Sequence, residues 1–129
     1  MQFGQGTLVF YASQRQARQT IYLSGFMNYP DLYLERLGSK PALAEVREAI
    51  RQTHAGRVLN ESDGEHQGYP SKDFSITARH NNDPIFLRVR LVLAGNRIYR
   101  LIVNNLGREP SDEVAAQFFE SFQLAGADN

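Results

Sequence analysis

Cysteine is absent from this chain, which excludes disulfides, thiolate metal centres and cysteine nucleophiles and leaves the redox compartment unread. Net charge is absent as well. Fourteen basic side chains balance fourteen acidic ones, so the footprint of a strongly basic domain is missing and no nucleic-acid partner is expected. A charge-reading partner must therefore use a local patch. No apolar run approaches bilayer-spanning length, and Met1-Gln2-Phe3-Gly4-Gln5-Gly6 carries no basic region followed by an apolar one, so neither membrane insertion nor a signal is expected. The expected location is cytoplasmic for a complete chain, and periplasmic or extracellular if a signal or lipid anchor has been trimmed. Gly-rich phosphate loops, Gly-x-Ser-x-Gly elbows and Ser-x-x-Lys arrangements are also missing, so no enzymatic activity and no cofactor are expected.

What the 129 residues do hold is enough chain for one domain with its own core, spanning 1–129. Thr7 to Ala12 and Thr20 to Met27 are apolar, aromatic runs that read as strands of an N-terminal hairpin, with Arg15 and Arg18 in a solvated connection. Asp31 can cap a helical turn reaching Leu37, and Gly38-Ser39 interrupts it. From Ser39 to Thr53 the apolar positions Ala42, Leu43, Val46, Ala49 and Ile50 recur at helical spacing, and Gly56 supplies a stop. The polar segment Asn60 to Gly68 reads as an exposed turn or long hairpin loop.

Alternation then returns. Lys72 to Arg79 places Phe74, Ile76 and Ala78 on one face, and His80 to Pro84 is a turn between antiparallel strands. Ile85 to Leu93 places Leu87, Val89, Leu91 and Leu93 on one face, and the apolar face of Arg97 to Val103 is Tyr99, Leu101 and Val103. Aligning those two faces demands a three-residue connection at Gly95-Asn96, since a two-residue loop would set Arg90 beside Leu101. The opposite sheet face would then carry Arg88, Arg90, Ile98, Arg100 and Ile102. A last helix begins near Ser111, a capping hydroxyl followed by Asp112 and Glu113, and buries Val114, Ala115, Phe118, Phe119 and Phe122. The order of elements predicts an α+β fold, a largely antiparallel sheet with helices packed on it.

Several groups could carry chemistry. Glu61, Asp63, Glu65 and His66 have the oxygen donors that suit a divalent cation, but placing Gly64 at the sixth position of an EF-hand loop puts Leu59 and Pro70 where acidic ligands are needed. A solvated loop is the preferred reading. His54, His66 and His80 lack the spacing of zinc ligands, Ser71-Lys72 and Ser121 lack a nucleophile's motif, and Asn60-Glu61-Ser62 is a glycosylation triplet of the kind that recurs by chance. Arg88, Arg90, Arg97 and Arg100 form a candidate basic patch suited to carboxylate or phosphate groups.

Gly68-Tyr69-Pro70 with Asp73-Phe74, the run Arg88 to Leu91 continuing to Gly95-Asn96-Arg97-Ile98-Tyr99-Arg100-Leu101, and Phe118-Phe119-Glu120-Ser121-Phe122 together resemble the closing half of a PsbP-like or Mog-type domain. Asn28-Tyr29-Pro30 ahead of a helix fits the same pattern, which is similar to many uncharacterised bacterial members. The resemblance implies an antiparallel sheet sandwiched between helices, in a family used as assembly factors, accessory subunits or small binding proteins of exported and envelope proteins. It implies no shared active site, and the longer N-terminal region of the plant photosystem members has no counterpart here.

Two functional readings follow. The first is a non-enzymatic accessory or protein-interaction domain, a monomer or weak homodimer, meeting an unknown protein partner through Arg88, Arg90, Arg100, Ile98 and Ile102. The alternative is a small-molecule or divalent-metal-binding domain using Asn60 to Tyr69, with Glu61, Asp63, Glu65 and His66 as ligands. Self-association through an edge strand, Thr7 to Ala12, is a third possibility.

Overall fold

The computed structural model describes residues 7–15, 20–30 and 36–124. Six strands form one antiparallel sheet: β1 (Thr7–Arg15), β2 (Thr20–Asn28), β3 (Arg57–His66), β4 (Tyr69–His80), β5 (Asp83–Ala94) and β6 (Arg97–Leu106). Their spatial order is β1-β2-β6-β5-β4-β3, so the last four make a continuous meander and the N-terminal hairpin docks through β2 against β6. Helix α1 (Ser39–His54) sits between β2 and β3 in sequence, and α2 (Asp112–Ser121) closes the described chain. The antiparallel α+β reading holds. The expected turn at Asp31 lies outside the described residues, as does Arg18, whereas Arg15 ends β1. Among the described residues no helix is long and apolar enough to cross a membrane.

Each face of the sheet has its own helix. Ala42, Leu43, Val46 and Ile50 of α1 bury their stripe against Phe74 and Ile76 of β4, Leu87, Val89, Leu91 and Leu93 of β5, and Ile98 and Ile102 of β6. On the other face Leu101 and Val103 of β6 meet Ala115 and Phe119 of α2, with Tyr22, Phe118 and Phe122 packed around them. Ser111 caps α2 as its sequence suggests, its hydroxyl accepting from the Val114 N–H at 3.1 Å. Val114 departs from expectation: it is 36% exposed, because the helix meets the sheet only along Ala115 and Phe119.

The connection at Gly95-Asn96 is a correction. Ala94 pairs with Arg97, so the loop has two residues, and Arg90 does stand opposite Leu101. Gly95 at the first central position takes φ 65, where a type II′ turn places its glycine. The sheet tolerates the mixing because it is covered on both sides: each face of β6 is apolar enough to be buried, Ile98 and Ile102 under α1, Leu101 and Val103 under α2. Single-sided alternation is the wrong template for such a strand.

The segment expected as a loop is also corrected. Residues 60–66 belong to β3, the outer strand, which pairs with β4 from Arg57↔Thr77 to His66↔Tyr69 and slips register between Leu59 and Ser62. Asn60, at φ 49, sits in this bulge. Polar composition here reflects an exposed sheet edge rather than a loop.

Candidate functional site

Arg90 on β5 is the centre of a polar network on the α2 side. Asp73, its cross-strand partner on β4, accepts two bonds from it, Nε to Oδ1 at 2.8 Å and Nη2 to Oδ2 at 2.9 Å. Its Nη1 donates to Glu120 on α2 at 3.1 Å, and its guanidinium lies 5.2 Å from the Phe119 ring centre. The Asp73 hydrogen bonds raise the Arg90 pKa above its ordinary value, and partial burial opposes them. Nη1 also lies 3.2 Å from His66 Nδ1. Since arginine only donates, Nδ1 must accept, which places the imidazole proton on Nε2, 3.0 Å from the Phe122 carbonyl oxygen. Gln67 adds a second donor to that carbonyl at 3.1 Å and accepts from the Leu124 N–H. The β3–β4 hairpin thus holds the C-terminal end of α2.

Arg88, two residues earlier on the same face, pairs with Asp112 at 2.6 Å at the other end of the helix. Between these two anchors the sheet and α2 leave a groove of about 360 Å³. Asn60 and Ser62 of β3, Ser75 of β4 and Arg88 line it, with Glu109 and Asp112 at its helix side and Phe119 beneath. A second, shallower cleft of about 540 Å³ opens at the foot of α1 beside His54, Arg57 and Arg79. Burial there pushes the His54 pKa below its ordinary value.

The five residues expected to share a partner face are divided by the register. Arg88 and Arg90 face α2, whereas Ile98, Arg100 and Ile102 alternate onto the α1 side and are buried, at 1%, 9% and 4% exposure. Arg100 approaches the Met27 sulfur at 3.3 Å, and its burial lowers its pKa. A single surface of all five does not form, because the two-residue turn shifts β6 by one position relative to the expected alignment. Arg97 stacks on the Phe26 ring at 4.0 Å and hydrogen-bonds Asn28.

The candidate cation ligands are divided too. Asp63 stands opposite Lys72, which shares the α1 face with Phe74, and the buried Lys72 ammonium binds Asp63 at 2.8 Å and Glu61 at 3.2 Å. Those bonds, chiefly the Lys72 hydrogen bond, hold the Asp63 carboxyl below its usual range. Arg47 of α1 reaches Glu61 at 3.0 Å. His66 points to the opposite face. Among the described residues no three His, Asp or Glu side chains come together as metal ligands. Sequence reasoning missed the groove itself. Its signal was the alternate row Ser71, Asp73, Ser75 and Thr77, polar positions opposite the apolar row of the same strand.

No family model matches the chain, and no curated protein matches it. Among solved structures it is similar to a crystal structure of PA94, a protein of unknown function from Pseudomonas aeruginosa described as a candidate regulator. The two share 10% identity over 92% of this chain and 83% of that one, with a TM-score of 0.60. At that identity the likeness is one of fold, an antiparallel sheet with two helices.

Proposed function

We infer that this chain is a non-enzymatic accessory domain that binds a protein partner, and that a strand of the partner adds to the free edge of β3. The observation that carries this reading is the edge itself: β3 ends the sheet, and residues 60–65 are exposed along it. An outer strand offers unpaired N–H and C=O groups to an incoming segment. The bulge at Asn60 and the carboxylates Glu61, Asp63 and Glu65 guard against indiscriminate pairing and favour a basic strand over a neutral one. The resemblance to PsbP-like and Mog-type domains supports an accessory role, and the helix-covered sheet is compatible with their sandwich. The divalent-metal alternative is weakened by Lys72, whose ammonium already bridges Glu61 and Asp63 where a cation would sit.

Affinity capture with wild type and Glu65→Lys, followed by amide hydrogen exchange on the isolated complex, tests the reading. The expected result is a partner lost on charge reversal and amide protection across residues 61–65. A partner retained by both proteins, with protection confined to other strands, overturns it.

A further inference from the structure

We propose that the groove between β3, β4 and α2 is a receptor for a cationic hydrogen-bonding group, the guanidinium or ammonium of an arginine or lysine on the partner chain. This deepens the edge-strand reading and rests on it for the source of the cation, while the site itself rests on separate observations.

The first is a hydroxyl without a protein partner on a mostly buried residue. Ser75 is 6% exposed and lines the groove, and among the described residues its side chain meets no hydrogen-bond partner. With no protein group bound to it, that hydroxyl is left to solvent in the groove, and an occupant can take the solvent's place. The second is the balance of donors and acceptors. Glu109 is exposed and unpaired among the described residues, and Asp112, whose side chain is 95% exposed, uses only Oδ1 on Arg88. Ser62, Ser75 and the Asn60 amide oxygen add further acceptors. The one cation in the wall, Arg88, already donates to Asp112 and weakly to the Pro110 carbonyl at 3.4 Å. Asp73 is balanced by Arg90. Counting Glu109, Asp112 and Arg88, the groove carries one negative charge in excess and more acceptors than donors, which is the complement of a donor-only cation.

The third is position and size. Asn60 and Ser62 are groove residues and also members of the free edge, so a strand laid along β3 brings its side chains to the groove's mouth. A space of about 360 Å³ holds one long side chain with room for water. The bulge at Asn60 interrupts regular pairing beside the opening, as bulges next to binding sites do.

The test titrates the full chain with N-acetyl-arginine amide, with its neutral isostere N-acetyl-citrulline amide, and with spermidine, following backbone amide shifts by NMR. The arginine probe is expected to give saturable shifts at residues 60–62, 73–75 and 109–112, with the citrulline probe at least about tenfold weaker. Glu109→Gln and Ser75→Ala, each a small change that leaves the core intact, are each expected to weaken the arginine probe severalfold. Equal binding of both amino-acid probes, silence with all three, or affinity unchanged in both variants overturns the cation site. Spermidine binding tighter than the arginine probe by more than about tenfold overturns its assignment to a partner's side chain. These readouts involve no added strand, so they fail or succeed independently of pairing at β3.

Discussion

At Gly56 the space behind Cα admits only a hydrogen: a Cβ there would lie 2.5 Å from Ile76 Cγ2 and 2.9 Å from the Thr77 carbonyl oxygen. The sequence marks this glycine as a helix stop, yet the left-handed residue that ends α1 is Ala55, at φ 49, and Gly56 contributes its N–H to the Arg51 carbonyl instead. Gly56→Ala should therefore destabilise by about 1 to 3 kcal/mol through overpacking against a backbone atom, read by urea unfolding. An unchanged midpoint would show that β4 gives way freely. His54, two residues before that glycine, titrates in the opposite sense from a paired cation. Its folded pKa lies below the ordinary 6.5, so the stability tied to its neutral form is present above pH 6.5 and is lost as pH falls toward the folded value. Glu48 and Asp63, with pKa values lowered chiefly by hydrogen bonds from Arg51 and Lys72, keep their contributions until well into the acid range, below 4.5 and 3.8 respectively. Removing His54 as His54→Gln should flatten the dependence of the unfolding midpoint on pH just below 6.5 while leaving the acid limb set by the carboxylates in place.

Helix α2 is held at both ends by groups far away in sequence, Arg88 on Asp112 at its start and the Arg90, His66 and Gln67 cluster at its finish. Its own cap was legible: Ser111 followed by Asp112 and Glu113 predicts the start that the structure has. Ser111→Ala should cost about 1 kcal/mol, measurable as a lower urea midpoint with an unchanged slope. The anchor at the other end was not legible, because Asp73, Arg90 and Glu120 meet only through strand register and helix docking. Arg90→Met should cost about 2 kcal/mol, reduced from the fully buried case because Asp73 and Glu120 keep contact with water, and should raise hydrogen exchange at the last turn of α2. Loss of stability without that local change would place the role of Arg90 in the sheet alone. For β3 the sequence misled in a specific way: polar residues at an edge strand and in a loop look alike, since both face water.

Across the molecule, one sheet is shared by two apolar clusters, and β6 belongs to both, with Ile98 and Ile102 in one and Leu101 and Val103 in the other. Disturbance on either side should therefore reach the same cooperative transition. Leu43→Ala under α1 and Phe119→Ala under α2 remove buried side chains at 2% and 4% exposure, and each should cost about 2 to 5 kcal/mol. Circular dichroism and aromatic fluorescence should give coincident curves for both variants; separated transitions would mean that the two layers melt independently.

Local sequence determined the class of fold, the α1 stripe from Ala42 to Ile50, the capped start of α2 and the alternation of β4 and β5, because helical and strand periods are written directly in the order of apolar residues. Tertiary structure alone decided which face each arginine joined and what lay beside Ser75. That outcome turns on one residue of loop length at Gly95, and in a sheet buried on both sides either register hides apolar side chains. Packing of two helices against opposite faces chose between the registers, putting Arg100 inside and leaving Arg88 at the wall of a groove.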